Sequence, residues 1–562
     1  MVIFINNFTL LLNKYFSNYN LNKDVVSQIT GISKSMIYKI LNGESYPSRK
    51  NYLALVNKLL NDTLLLTTKD ITQLDKSYRI NNLDEKSKRE IDFFTNLLKT
   101  IDETNSDRKQ FNIKNALQIE KSLPHFVLKD EDNIRKFIES CLISAFNSEH
   151  VNIKLKSNMI FEIYEPLMEL SAHAKSIHIQ HIIPNFSKNH KEITWLFNSI
   201  VKTNINGIYE PYIDFNSEHD TRVPFNQFIL INDSELLIYS DNLQHLAYFD
   251  GSDHKFKDIY SVYDNTFSDE ISKIPLRPLS KLIPYKDSNA YCYNMELNET
   301  DEMYVLLSTM PILNLPPEFI KLLFTTFFEN DPNTQLDESI IEILSRRAEL
   351  LFNANSSELG FKKASYFTSY EGIENYINTG VIDQIKDTIQ YPPLIRLITM
   401  ASLIYLLENN QEYCLYLYNL KDHSYLNSFV ITMFSNNTMI YLLQDISRGH
   451  NSDALVDINH ESFVSACRTY IKESLKIDIL FNKKLMDTHG LNSFHELDEQ
   501  ELERLYRNTL IGDLTTMVKN SIHLTEPETQ ALKNMQEMQR ANPNSTDRLL
   551  EILEIALKLN SK

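Results

Sequence analysis

The chain has 562 residues, with 74 acids against 56 bases and a net charge of −18; its 43% hydrophobic content is ample for real cores and excludes a disordered chain. At this length about three or four domains are predicted. Glycine gives the sharpest exclusion: there are ten, no two closer than Gly372 and Gly380, so no GxGxxG, P-loop or GxSxG is present.

The N-terminal MVIFINNFTLLLNKYF is apolar but interrupted by Asn and lacks a cleavage site, so it reads as a first helix and not as a signal peptide. Asn22 can cap a second helix from Lys23, with Val26 and Ile29 on its apolar face and Ser27 where helices approach closely. Gly31 suits the left-handed position that ends it. Ile32 plugs the core, and Ser33 caps a third helix whose buried face is Met36 or Ile37, then Ile40 and Leu41. Gly43 stops that helix, and Pro47 starts another over 48–60 with Leu53, Val56 and Leu59 or Leu60 as its stripe. Lys34, Ser35, Tyr38, Lys39 and Asn42 remain outside, carrying groups of the kind that reach base edges and phosphates. Residues 1–60 hold seven Lys/Arg and two acids, net +5, which leaves −23 for the rest. A basic head on an acidic body suits a phosphate-binding module whose DNA contact is confined to the head.

Ser27, Gly31-Ile32-Ser33, Ile37, Ile40, Gly43 and Pro47-Ser48 carry a resemblance, over roughly residues 5 to 62, to the Cro/C1 (Xre) family of helix-turn-helix regulators. The departures are Ser27, where the family usually has Ala, and Leu41, where it often has an acid. The resemblance implies that the helix from Ser33 enters the major groove and that Lys23 supports a phosphate contact. On that basis Ser35, Tyr38 and Lys39 or Asn42 are expected to read bases, and Lys23, Lys34, Arg49 and Lys50 to hold phosphates, with Ser33 opening the recognition helix.

After the head, Ile91, Phe94, Leu98 and Ile101 form a helical stripe that either pairs with a second subunit or docks on its own body. Helices are predicted over 132–146, 160–170 and 260–267, and strands over 177–183, 228–231, 236–239 and 246–249, with Asn232-Asp233-Ser234-Glu235 as a turn. This α/β or α+β layout distantly resembles the phospholipase D-like sensor domains of some regulators. The catalytic HxKxxxxD is absent: His173 and Lys175 have the first spacing but Gln180 stands in place of the Asp, His254 and Lys257 are misspaced, and His219 has no following Lys. His178 and His181 point to opposite faces of a strand and read as ordinary histidines.

A second unit of the same order, helices and then strands, is expected over 286–480 as an α/β or mostly helical domain. Its helices are placed at 317–328, 338–352 and 394–407, strands or short buried elements at 413–418, 428–434 and 439–443, and a closing helix at 460–475. The tail predicts helices at 498–506, 509–522 and 547–559, and no thirty-four-residue period is visible. Cys141, Cys292, Cys414 and Cys467 form no CxxC and read as reduced, mostly buried thiols. The run 394–407 is broken by Arg396 and too short to span a bilayer.

The expected fold is multidomain and α-rich: an all-α helix-turn-helix head (1–62), a helical linker or dimerisation segment (63–125), a mixed α/β or α+β body (126–285 and 286–480) and a helical C-terminal region (481–562). The expected function is a dimeric, cytoplasmic, bacterial or phage transcriptional regulator. It would act as repressor or activator on double-stranded DNA, with a body that senses a small-molecule, peptide or protein effector. The alternative is an antitoxin-like or phage-control scaffold whose body binds another protein, and a third, less favoured reading is an enzyme with a DNA-binding head. No enzyme activity, metal, cofactor or membrane association is expected.

Overall fold

The computed structural model describes residues 7–63, 66–104, 125–146, 148–157, 176–183, 209–213, 227–240, 243–253, 255–267, 272–273, 276–278, 302–311, 316, 319, 363–381, 390–433, 438–442, 454–458, 461–542 and 547–561. It is helix-rich with mixed β-sheet. Contacts divide the chain into two units, one of residues 1–91, 309–422 and 467–562, the other of 92–308 and 423–466. Among the described residues no helix is long and apolar enough to cross a membrane.

The chain opens with α1 (Asn7–Asn18), α2 (Lys23–Thr30), α3 (Lys34–Leu41), α4 (Arg49–Thr63), α5 (Thr68–Asn81) and α6 (Glu85–Thr104). Asn22 accepts from the Asp24 amide and Gly31 ends α2 at φ +73°. Ser33 accepts from the Met36 amide and opens α3. Val26, Ile32, Ile37, Ile40 and Leu41 are buried with Phe8 and Leu12 of α1. In α4 the buried face is Tyr52, Leu55 and Val56, so the stripe expected through Leu53 is turned by one residue; the Leu59 and Leu60 side chains lie outside the described residues. The α6 positions Ile91, Phe94 and Leu98 are buried within this single chain, and the Ile101 side chain lies outside the described residues.

Next come β1 (His125–Lys129), α7 (Glu131–Phe146), β2 (His150–Lys156), β3 (Ser176–Ile183), β4 (Tyr209–Ile213), β5 (Gln227–Ile231), β6 (Glu235–Tyr239), β7 (His245–Asp250), α8 (Phe256–Asp264) and β8 (Ser272–Lys273). The strands form one sheet in the order β1-β7-β6-β5-β2-β3-β4-β8, with β2-β3 and β3-β4 parallel. Asn232 and Asp233 both have positive φ and close the β5–β6 hairpin, a conformation these residue types tolerate. The helix expected over 160–170 lies outside the described residues.

The remaining elements are β9 (Leu276–Pro278), β10 (Glu302–Leu306), β11 (Lys363–Ser369), α9 (Tyr370–Thr379), α10 (Pro393–Asn409), β12 (Tyr413–Tyr418), β13 (Phe429–Met433), β14 (Thr438–Leu442), β15 (Ala454–Ile458) and α11 (Glu461–Tyr470). A π-helical turn (Ile471–Leu475) then leads into α12 (Lys476–Leu480), α13 (Lys483–His489), α14 (Glu499–Ser521), α15 (Glu526–Ala541) and α16 (Asp547–Asn560). In the second unit the antiparallel order β9-β15-β14-β13-β10 repeats the order β1-β7-β6-β5-β2. In the first unit β11 and β12 form a parallel pair, as β3 and β4 do.

Helix α10 is apolar all round and correspondingly buried, packed by α14 and α16. Leu549, Ile552, Leu553, Ala556 and Leu559 are the buried face of α16, which docks on α10. Two tail helices expected to be separate are one, α14, because Leu502, Tyr506, Leu510, Leu514 and Val518 keep a continuous buried row through Thr509 and Gly512. Apart from Phe319, the helices expected over 317–328 and 338–352 lie outside the described residues, as does Cys292; Cys141, Cys414 and Cys467 are buried and in no disulfide.

Two glycines at positive φ differ in what surrounds them. A Cβ at Gly31 would meet nothing within 4 Å, whereas one at Gly380 (φ +77°) would lie 2.2 Å from the Tyr391 carbonyl oxygen. Gly31→Ala is expected to cost about 1 kcal/mol from backbone strain alone. Gly380→Ala adds backbone overlap and is expected to cost about 3 kcal/mol. Urea denaturation of both variants checks the ranking.

Candidate functional site

The residues singled out from the sequence cluster at α2–α4, and the structure gives them different neighbours. Ile37, Ile40 and Leu41 seat α3, so its opposite face is open: Lys34, Ser35, Tyr38 and Lys39 are exposed. Tyr38 keeps 42% of its surface, and Lys23 Nζ lies 3.9 Å from its ring centroid, a cation–π contact. Lys34 is paired with Asp24 at 2.6 Å, and this hydrogen-bonded carboxylate raises its pKa. Ser33 is occupied as the cap of α3. Asn42 ends α3 and donates to Glu44 at 3.1 Å, and Lys50 is exposed.

Arg49 has a different setting from the one expected. Its Nε and Nη2 donate to the His495 carbonyl at 3.0 and 2.6 Å, so the guanidinium is engaged by the C-terminal part of the chain. Around this contact a polar junction joins α4 and α5 to the turn at 493–496. Asp75, fully buried on α5, accepts from Tyr52 Oη (2.5 Å), Ser493 Oγ (2.9 Å) and the Phe494 amide (2.8 Å). His495 Nε2 lies 3.1 Å from the Asp75 carbonyl, and its ring stands edge-on to Tyr52 and Tyr78, which stack at 3.9 Å. Asn57 donates to Glu496 at 2.8 Å. Ion pairs of Lys76 with Asp478 and Arg79 with Glu473 bolt the other side of α5. None of these partners was expected from the sequence. The available signal was Asp75 itself, a carboxylate on the apolar stripe Ile71, Leu74, Tyr78.

A second charged cluster lies in the same unit. Lys476, buried just after the π-helical turn, pairs with Glu503 and with Glu499, and Tyr416 donates to Glu503 at 3.1 Å. Glu503 opens onto a cleft of about 770 Å³ whose lining includes Lys363, Glu408, Glu412, Arg504 and Arg507. Arg507 is committed to the carbonyls of Leu407, Asn410, Gln411 and Tyr413, which tie off the end of α10. In the second unit His181 is buried, its pKa depressed by that burial to about 4, with Nε2 3.0 Å from the Ser157 carbonyl. His173, Lys175, His219 and His254 lie outside the described residues. Among the described residues no group of three or more His, Cys, Asp or Glu is placed to hold a metal ion.

No family model matches the chain, and no curated protein matches it. Among solved structures it is similar to the polyphosphate kinase of Porphyromonas gingivalis (9% identity, TM-score 0.19, covering 69% of this chain and 55% of that one). It is also similar to the phosphatidylserine synthase of Haemophilus influenzae Rd KW20 (9% identity, TM-score 0.17, 72% and 96%). The chain thus spans about half of that kinase. Both structures are enzymes by title, which runs against the expected transcriptional regulator and the expected absence of enzyme activity. That overturns those two expectations, while TM-scores this low assign the chain no activity in their place.

The junction carries two opposing titrations. Burial raises the Asp75 carboxyl to about 6, so the native state holds that proton more tightly, and the stability it withholds above pH 6 returns as pH falls towards 4. Burial lowers His495 to about 4, so its contribution is full above the unfolded value near 6.5 and is lost as pH falls through 4. His495→Gln leaves only the first. Between pH 7 and 4.5 the variant is expected to gain about 2–3 kcal/mol relative to the wild type. Denaturation at both pH values measures this; a parallel pH dependence in the two proteins contradicts the assignment.

Proposed function

We propose that residues 7–63 are a helix-turn-helix of the Cro/C1 type and that this head binds double-stranded DNA as part of a homodimer. The observation that carries the reading is the open face of α3, where Ser35, Tyr38 and Lys39 stand exposed on a helix held by Ile37, Ile40 and Leu41. A helix fixed from behind, with short polar and cationic side chains in front, has the form needed to enter a major groove. Lys23, Lys34 and Lys50 flank it with positive charge, and the +5 of residues 1–60 against the acidic remainder favours contact through this end alone. Ser33 sets the start of the helix, and Asn42 closes it beside the groove-facing side chains. Two heads read more bases than one, the physical ground for the dimer.

The reading concerns contact with DNA. Recovery of bound fragments from random duplex by the full-length protein, beside a Lys34→Ala/Lys39→Ala variant, tests it. An enriched site lost in the variant supports it; no enrichment overturns it. Lys50→Ala is expected to weaken all duplexes alike and to lower the log–log salt slope by about 0.9. Tyr38→Ala is expected to change sequence preference more than bulk affinity. Equilibrium titrations over a salt series with several duplexes separate the two effects.

A further inference from the structure

We propose that the turn at 493–496 is an internal occupant of the head's phosphate-binding edge, which holds the head in a low-affinity state until the turn is released. The inference rests on the DNA reading above and names the regulation of that same site. Arg49 is the first residue of α4 and stands next to the exposed Lys50, where a helix N-terminus and two cations together favour a phosphate. Both guanidinium nitrogens described at this contact, Nε and Nη2, are spent on the single carbonyl oxygen of His495. That oxygen takes the fork of donors that a phosphate oxygen would take, and Glu496, one residue further on, accepts from Asn57 and ties the turn to the same helix.

The occupant is a neutral carbonyl, so it is weaker than the ligand it displaces. Hydrogen bonds between a guanidinium and a charged oxygen are about twice as strong as those to a neutral acceptor. The turn therefore holds its place through its other attachments: Ser493 Oγ and the Phe494 amide on Asp75, and the His495 ring against Tyr52 and Tyr78. These attachments are to residues of α4 and α5, and none of them is to α3. Loosening them leaves α3 seated by its own core of Ile37, Ile40 and Leu41.

The test uses the full-length protein and the duplex recovered by selection. Glu496→Ala removes an exposed side-chain bond, and Ser493→Ala/Glu496→Ala also removes a bond to Asp75. Amide exchange at Phe494 reports whether the turn has opened, and exchange across α1–α3 reports whether the head is still folded. The double variant is expected to bind duplex about tenfold more tightly, equivalent to one lost restraining contact of about 1.4 kcal/mol. Its salt slope is expected to be steeper by about 0.9 as Arg49 gains a phosphate. Arg49→Ala is expected to cost more affinity in this background than in the native one.

Equal affinity and slope in the native and opened proteins, with Phe494 exchange accelerated, overturns the inhibitory role while leaving DNA binding in place. Should the double variant lose protection across α1–α3, Glu496→Ala alone decides by the same readouts. Absence of duplex binding in every background removes the DNA reading, and this inference with it.

Discussion

A carboxylate is tolerated in a protein interior only when donors replace the water it has lost. Asp75 meets that condition with donors from two places far apart in the chain: Tyr52, on the neighbouring helix of the head, and the Ser493–Phe494 turn, more than four hundred residues later. The stack of Tyr52 on Tyr78 and the His495 ring set edge-on to both gather around that one group. Removing a single donor leaves a buried acceptor short of a partner, which costs about 1–3 kcal/mol. The first unit is thus organised around a polar junction as much as around its apolar core.

Much of the local structure was legible because it is set by local chemistry. Asn22, Gly31 and Ser33 fix the ends of α2 and α3 through bonds spanning three residues or fewer, or through one backbone angle. The β5–β6 hairpin was legible from Asn232 and Asp233 for the same reason. The run 394–407 declared its burial by being apolar on every face. What was not legible is non-local. Arg49 has the sequence context of a phosphate contact, and nothing near it foretells His495. Lys476 resembles any surface lysine until Glu499 and Glu503 are brought to it. Strand β11, KASYFTS, carries too weak an alternation to stand out, and it is fixed by its parallel neighbour β12. The stripe in α6 was correctly seen as apolar, but its covering surface could not be read from its own periodicity.

One strand order occurs twice in the body. The run β1-β7-β6-β5-β2 and the run β9-β15-β14-β13-β10 place their strands in matching succession, and in each case the next two strands in sequence form a parallel pair. Topology retains this correspondence where residue identity shows none, because strand order is set by chain connectivity and handedness and tolerates almost complete replacement of side chains. Two sheets of the same plan carry different chemistry: the first buries His181 against the Ser157 carbonyl, and the parallel pair after the second plan borders the Lys476–Glu503 cluster through Tyr416.

The first unit is assembled from three separated stretches of chain, and this has a consequence for the order of events on the ribosome. Asp75 emerges 418 residues before Ser493, its partner. At about 5–20 residues per second the carboxylate waits roughly 20–80 s for its final donors. Throughout that time α1–α5 must persist with a desolvated acid incompletely satisfied, or with that acid protonated or turned to solvent. The nascent head therefore passes through a period in which Arg49 has no His495 carbonyl to hold and in which its surface differs from that of the finished protein. Translation speed across the intervening body sets the length of that period.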